Sequence, residues 1–127
     1  MPYSIDRWQD SDIIIVRGSG EITAADNGVM LRALESACEM RPSRRVILDL
    51  SDVDYVPSAI EARELASSFA RLAKPRQCLM AVVARPGAQY GVARMMEALS
   101  SAQDVTAAAF GSMDDASAWM LVGEREE

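Results

Sequence analysis

Three aspartates near the end of one apolar segment are the first residues whose types and spacing could do chemistry. Asp49 lies within residues 46–50, and Asp52 and Asp54 follow it. Open α/β sheets place ligand sites beyond the carboxyl ends of their strands, which is where these carboxylates fall. Their spacing does not fit a calcium-binding EF-hand loop, which needs a glycine and a closing glutamate at fixed positions. We expect them to cap their own loop. Metal binding is the less favoured alternative, and catalysis would require a buried carboxylate pair.

Ser58 is the residue that best fits a modification site or a helix start. It follows Pro57 and precedes Glu61 by three residues, which is the spacing of a capping box. As an N-cap, its hydroxyl accepts a backbone N–H and contributes about 1 kcal/mol. As a phosphoacceptor, it would place a charge of about −2 at a helix N-terminus, a site that favours anions. The two roles are compatible, and both stay open.

Tyr90, Arg94 and Glu97 share one face of a predicted helix. The spacing of four residues between Tyr90 and Arg94 fits an intrahelical pair worth a few tenths of a kcal/mol. It also fits a partner-binding surface, because exposed Tyr and Arg are frequent in interface hot spots. The apolar stripe expected on the opposite, buried face consists of Ala88, Val92, Met95, Met96 and Leu99.

The start of the same helix offers a possible pocket. Gly87 lies in a Pro-Gly turn, so the helix starts near Ser58 and Gly87 should approach the strand ends at Leu50 and Ala84. One glycine is a weak signal for phosphate binding, because the other glycines of a phosphate loop are absent. A polar cavity here would indicate a small-ligand binder, for an anion or an apolar molecule. A flat apolar surface would indicate protein docking.

The composition argues against several classes of function. The chain has no histidine, which removes the Ser-His-Asp and Cys-His nucleophile systems and all imidazole metal sites. A net charge of −6 disfavours nucleic acid as a partner. Cys38 and Cys78 lie in apolar segments and are expected to be buried thiols rather than a disulfide or a zinc site. We predict a protein that is not an enzyme and has no cofactor and no metal.

Length and hydropathy suggest one cytoplasmic domain. The 127 residues suffice for a single core, so we expect one domain over residues 1–127 with a solvated tail at the end. No apolar stretch approaches the roughly 18 to 20 residues that cross a bilayer, so no membrane partner is expected. The first residues lack a basic region followed by an apolar core, which argues against a secretory signal.

The elements that must position these residues begin with a hairpin. Residues 2–9 alternate in polarity, which predicts an edge strand with one wet face. Residues 10–12 should turn the chain into a β-branched strand at 13–16, and residues 18–20 should close that strand.

Strands then alternate with helices. Residues 46–50 and 78–84 are apolar throughout, which is typical of the middle of a covered parallel sheet, and residues 105–110 form a shorter strand. Residues 51–55 are expected to be a loop. Helices should begin near Thr23, Ser58, Gly87 and Ser112. The predicted fold class is α/β in the order ββαβαβαβα, with about five strands, four helices and an antiparallel N-terminal edge.

Three stretches of the chain carry a family pattern: residues 46–53, residues 80–97 and residues 110–120. The first contains Asp-Leu-Ser at a strand end, and the last begins Phe-Gly-Ser and closes on an acidic pair, Ala and Trp. Together with the element order, they resemble the STAS domains, the family of anti-sigma-factor antagonists, and in particular the SpoIIAA-like branch of bacterial proteins. This resemblance implies a regulatory module that binds a protein partner or a second copy of itself.

The functional signature of that family is only partly present. Family members carry an Asp-Ser-Ser/Thr-Gly run in which one hydroxyl is phosphorylated, and this toggles binding to a partner kinase. The corresponding residues here are Pro57-Ser58-Ala59-Ile60. Ser58 matches the first hydroxyl, whereas Ala59 occupies the position of the usual phosphoacceptor. The resemblance therefore supports the fold and a protein partner more strongly than the phospho-switch.

Overall fold

The structure is a computed structural model that describes residues 2–8, 12–40, 43–54 and 57–125, with side chains described through residue 121. Its elements follow the predicted order. They are β1 (Tyr3–Arg7), β2 (Ile13–Gly20), α1 (Ala24–Met40), β3 (Arg45–Val53), α2 (Ala59–Ala73), β4 (Leu79–Val83), α3 (Ala88–Ser101), β5 (Ala107–Phe110) and α4 (Met113–Arg125). The predicted turn at residues 10–12 falls largely outside the described residues.

One five-stranded sheet organises the chain, in the spatial order β1-β2-β3-β4-β5. β1 pairs antiparallel with β2, and every other neighbouring pair is parallel, which confirms the predicted fold class. Right-handed crossovers between sequential parallel neighbours place all the connecting helices on one face. The packing agrees, because α1, α2 and α3 cover one face of the sheet and α4 covers the other.

The apolar strands divide their side chains between these two faces. Alternate residues of β2, β3 and β4 pack against α1, α2 and α3: Ile14, Val16, Val46, Leu48, Met80 and Val82. The residues between them pack against α4: Ile13, Ile15, Ile47, Ala81 and Val83. Because side chains alternate across a strand, a segment that is apolar throughout supplies both cores at once.

β2 and β3 are longer than predicted. Their pairing continues past a register shift between Arg17 and Ser19, so residues 18–20 do not close β2, and residues 51–53 belong to β3 rather than to a loop. Gly18 permits this pairing, because a Cβ there would lie 2.8 Å from Cγ2 of Val53 and 2.9 Å from Cε1 of Tyr3. Glycines and polar residues usually end a strand, which is why the sequence predicted shorter strands. Here the hydrogen bonds between β2 and β3 continue through them.

The buried stripe of α3 is also shifted from the predicted one. The buried residues are Gln89, Ala93, Met96 and Ser100, whereas Ala88 is exposed and Val92 and Met95 are only partly buried. Gln89 explains the shift. Its amide nitrogen donates to the carbonyl of Val53 at 3.3 Å and its amide oxygen accepts from the N–H of Arg85 at 2.6 Å. A polar side chain with both ends satisfied can face the core.

The helix starts were predicted correctly where a capping residue is present. The Thr23 hydroxyl accepts the N–H of Asp26 at 3.2 Å, and the Ser112 hydroxyl accepts the N–H of Asp115 at 3.1 Å. Six apolar residues of α2 at helical spacing are all buried: Ala62, Leu65, Ala66, Phe69, Leu72 and Ala73. None of the helices in the described ranges is long and apolar enough to cross a membrane.

Candidate functional site

The start of α2 is fixed by a reciprocal capping box. The N–H of Glu61 donates to Oγ of Ser58 at 3.2 Å, and the N–H of Ser58 donates to Oε1 of Glu61 at 3.1 Å. Ser58 has extended backbone angles, as an N-cap requires, and its side chain is exposed. The hydroxyl is therefore both part of the helix start and accessible from solvent.

An exposed apolar side chain lies immediately beside this cap. Ile60 is 70% exposed on the first turn of α2, and Ala59 before it is exposed as well. Sequence alone singles out Ile60 only as part of Pro57-Ser58-Ala59-Ile60, which differs from the family signature. The signal that could have identified it is its position on the stripe of α2 opposite the buried apolar residues, where a polar side chain is expected.

A small cavity lies behind the cap, where α2 and α3 meet the sheet. Its volume is about 20 Å³, enough for about one water molecule. Most of its wall is apolar, with polar groups from Tyr3, Asn27 and Gln89. The Tyr3 hydroxyl donates to Oδ1 of Asn27 at 2.7 Å, and burial, helped by the nearby charge of Asp26, raises the pKa of Tyr3 to about 12. Small-ligand sites usually span several hundred cubic ångströms, so binding one here requires α2 and α3 to separate.

The three residues predicted to form a loop or pocket do not come together at this cavity. Asp49 is buried within β3 and accepts hydrogen bonds from the hydroxyl and the N–H of Ser51 at 2.6 and 3.0 Å. Its other oxygen lies 3.9 Å from Nε of Arg17, its register partner on β2. Strand alternation places Asp49 on the same face as Ile47, which is the face that α4 covers. A site shared by Asp49 and the starts of α2 and α3 is therefore not formed.

Asp54 and Gly87 lie at exposed positions near the cavity without lining it. The N–H of Asp54 donates to the carbonyl of Gly20 at 2.9 Å and so ends the pairing of β2 with β3. Gly87 is the N-cap of α3 with φ of +96°, a conformation that favours glycine. The guanidinium of Arg85 donates to the carbonyl of Val53 at 2.7 Å, which ties this turn to the end of β3.

The predicted Tyr90, Arg94 and Glu97 surface is only partly open. Tyr90 is half-buried against the core that α1, α2 and α3 cover. Arg94 is exposed, and its guanidinium forms an ion pair with Glu97 at 3.5 Å. Glu97 also accepts a hydrogen bond of 3.0 Å from the N–H of Ala109 in β5. The role of this surface in binding a partner stays a prediction.

The two cysteines are buried and free, as the sequence indicated. Burial raises the pKa of Cys38, and burial together with the neighbouring Cys38 raises the pKa of Cys78 to about 11. Raised thiol pKa values oppose nucleophilic chemistry, because the thiolate is the reactive form. Within the part of the chain that the structure describes, His, Cys, Asp and Glu residues form no group of three that could hold a metal ion.

Comparison with known proteins identifies the fold. An uncharacterised protein of the DUF3478 family with a SpoIIAA-like fold, from Shewanella loihica, has a TM-score of 0.62 and 20% identity over 92% of this chain and 90% of its own. An anti-sigma-factor antagonist from Mycobacterium paratuberculosis has a TM-score of 0.61 and 22% identity over 90% and 88%. SpoIIAA, an anti-sigma-factor antagonist, in its unphosphorylated form has a TM-score of 0.67 and 7% identity over 95% and 98%. No protein-family profile and no curated protein matches the chain.

Proposed function

We propose that this chain, which has the SpoIIAA-like fold, is a regulatory protein-interaction module that docks a partner protein on the exposed start of α2. The observation that carries the proposal is the 70% exposure of Ile60, two residues after the N-cap Ser58. Burying a side chain of this size in an interface contributes on the order of 2 kcal/mol. Because the capping box fixes the first turn, the partner meets a surface that is already ordered, which lowers the entropic cost of binding.

The structural relatives support a protein partner. Two of them are anti-sigma-factor antagonists, a class that acts on another protein. In this chain the residues aligned with the family signature form the start of α2 and stand in the open. A partner of the anti-sigma type is therefore the first class to test.

A phosphate on Ser58 would act on this same surface. It would add a charge of about −2 two residues before Ile60, at the N-terminal end of α2 where the helix dipole stabilises anions. The charge would also make burial of the neighbouring Ile60 against an apolar partner more costly. We therefore propose that modification of Ser58, where it occurs, weakens docking without unfolding α2.

The proposal is tested by native mass spectrometry of the protein purified from its own host, with and without phosphatase treatment. We expect a complex with a second protein that is lost in Ile60→Glu. The matched control is Met40→Glu, because Met40 is 87% exposed at the far end of α1. A complex that survives Ile60→Glu contradicts docking at the start of α2. A bound small molecule without a protein partner would favour the ligand-binding alternative.

A mass increase of one phosphate that disappears on phosphatase treatment and in Ser58→Ala would establish the switch. An unmodified mass with an intact complex would remove the switch and leave the interaction module. The cytoplasmic location and the single domain over residues 1–127 remain predictions.

A further inference from the structure

The outer surface of the α1–α2 pair forms one continuous open groove. One part, about 180 Å³, lies between Gly28 and Leu31 of α1 and Glu61 and Glu64 of α2. The adjoining part, about 500 Å³, shares Gly28 and Leu31 and continues toward the carboxyl ends of both helices. The two helices are held apart at Gly28. A Cβ there would meet only the Arg32 guanidinium, at 3.8 Å, and no atom of α2 within 4 Å among the described residues.

The charges along α2 change sign at its centre. One stripe of exposed and half-buried residues runs along the helix, with acidic residues near its start and basic residues near its end. In chain order its members are Ile60, Glu61, Glu64, Ser67, Ser68, Arg71, Lys74 and Pro75. Helix periodicity places them on one side, because consecutive residues are rotated by about 100°. Arg63 is also exposed and lies at the edge of this stripe, about 20° from Lys74 in helical projection. The stripe is therefore negative at one end and positive at the other, with two small serines at its midpoint.

Such a stripe is complementary to itself. If a second copy packs antiparallel with the two-fold axis between Ser67 and Ser68, then Glu64 of each copy lies opposite Arg71 of the other. The same symmetry sets Glu61 opposite Lys74 and Ile60 opposite Pro75. Isologous interfaces require this kind of self-complementarity, and small residues at the crossing point allow two helices to approach closely.

Three charged side chains of the stripe, Glu64, Arg71 and Lys74, are available for new partners. Among the described residues, Glu64 takes part in no ion pair or hydrogen bond, and Arg71 bonds only to the hydroxyl of Ser68, at 3.2 Å. Lys74 lies 4.0 Å from Asp104, and both side chains are largely exposed, so that pair is weak. An interface could therefore use these charges without breaking a buried interaction.

We propose that the α1–α2 face binds a second copy of this chain in an antiparallel, two-fold arrangement. The inference rests on the proposed function and deepens it by naming one partner. The dimer would cover Ile60, so self-association and docking of another protein would compete for the start of α2. Two helices roughly 25 Å long and 10 Å wide form a face near the lower end of stable interface sizes. We therefore expect a micromolar dissociation constant that rises with salt, because exposed charge pairs are screened.

Charge exchange tests this arrangement directly. Sedimentation equilibrium at low ionic strength should show a monomer–dimer equilibrium for the wild-type chain. Glu64→Arg and Arg71→Glu should each raise the dissociation constant by about 10-fold or more, because each change places like charges at two symmetry-related positions. The double variant Glu64→Arg/Arg71→Glu should restore dimerisation, because opposite charges face each other again.

A steric test uses two helical glycines, the half-buried Gly28 and the exposed Gly91. Gly28→Trp should fill the groove and weaken the dimer, whereas Gly91→Trp, on α3 with no atom within 4 Å of its Cβ position, should not. A wild-type chain that stays monomeric at millimolar concentration would overturn the inference. A double charge variant no tighter than either single variant, or a Gly28→Trp chain that dimerises normally, would also overturn it. Each of these results leaves docking of another protein at Ile60 intact, so the two proposals fail separately.

Discussion

The carboxylate of Glu97 on α3 accepts the backbone N–H of Ala109 on β5, at 3.0 Å. β5 is an edge strand, since only β4 pairs with it. The carbonyls of Thr106 and Phe110 accept from Met80 and Ala84, so the alternation of a parallel ladder directs the N–H of Ala109 away from β4. Unpaired edge groups invite pairing with other chains, and proteins commonly block them with charged side chains. Glu97 thus joins the helix layer to the sheet and occupies one edge N–H group that strand addition would use.

This relationship predicts a specific loss of stability. Glu97→Ala should lower the free energy of unfolding by about 1.5 to 3 kcal/mol, the range for a hydrogen bond to a charged group. Arg94→Ala is the matched control, because it removes only the exposed ion pair at 3.5 Å and should cost under about 1 kcal/mol. Urea denaturation followed by circular dichroism measures both. Equal losses in the two variants would show that the bond to Ala109 contributes nothing.

The capping box predicts a difference between two substitutions at one position. Ser58→Ala should destabilise the fold by about 1 kcal/mol, since the N–H of Glu61 loses its acceptor. Ser58→Asp should stay close to wild type, because aspartate is an equally good N-cap and its charge suits the helix start. Thermal or urea unfolding of both variants decides the matter. A Ser58→Asp chain as unstable as Ser58→Ala would argue against a phosphate being tolerated there.

Gly18 should be far less tolerant of a methyl group than an exposed glycine. Gly18→Ala would place Cβ 2.8 Å from Val53 and 2.9 Å from Tyr3, so strands or side chains must shift. Overpacking of this kind typically costs about 1 to 3 kcal/mol. Gly91→Ala, on an open helix face, should instead stabilise the chain by up to about 1 kcal/mol. Similar stabilities for the two variants would contradict the close approach of β1, β2 and β3 at Gly18.

The buried Tyr3 predicts a loss of stability at alkaline pH. Its pKa is raised from 10.0 to about 12, so the folded state favours the neutral phenol. That contribution is complete below pH 10 and is lost as the pH rises from 10 towards 12. Tyr3→Phe, which cannot ionise, should show a shallower decline over this window. The Cys78 thiol titrates in both chains and cancels in the comparison. If the unfolding midpoints of the two chains fell in parallel with pH, ionisation of Tyr3 would not be the cause of the alkaline loss of stability.

Local signals predicted most of the fold, and long-range pairing decided the rest. Runs of β-branched residues identified the central strands, and the Ser58–Glu61 spacing identified the start of α2. Tyr90 is half-buried rather than fully outward, because Gln89, held by Val53 and Arg85, lies on the buried stripe of α3. Arg85 is four residues away, but Val53 is 36 residues away in sequence, so no local pattern contained the contact with β3.

The candidate site shows the same division. Asp49 was predicted at a strand end near the starts of α2 and α3. Strand alternation instead places its side chain on the opposite face of the sheet, under α4. The exposure of Ile60 follows from helix periodicity. Its value as a docking residue follows only from the structure, in which Ser58 caps and orders the same turn. The link from Glu97 to Ala109 required the edge position of β5, which is a property of the whole sheet.

Hydrogen exchange of the chain, free and in complex with the protein that co-purifies from its host, tests the central claim most directly. The first amides of a helix lack intrahelical acceptors, so those of residues 59 and 60 should exchange rapidly in the free chain. We predict that the complex slows exchange over residues 57–64, and that Ile60→Glu removes both the complex and this protection. Protection confined to α4 or to the open edge of β1, with residues 57–64 unchanged, would contradict docking at the start of α2.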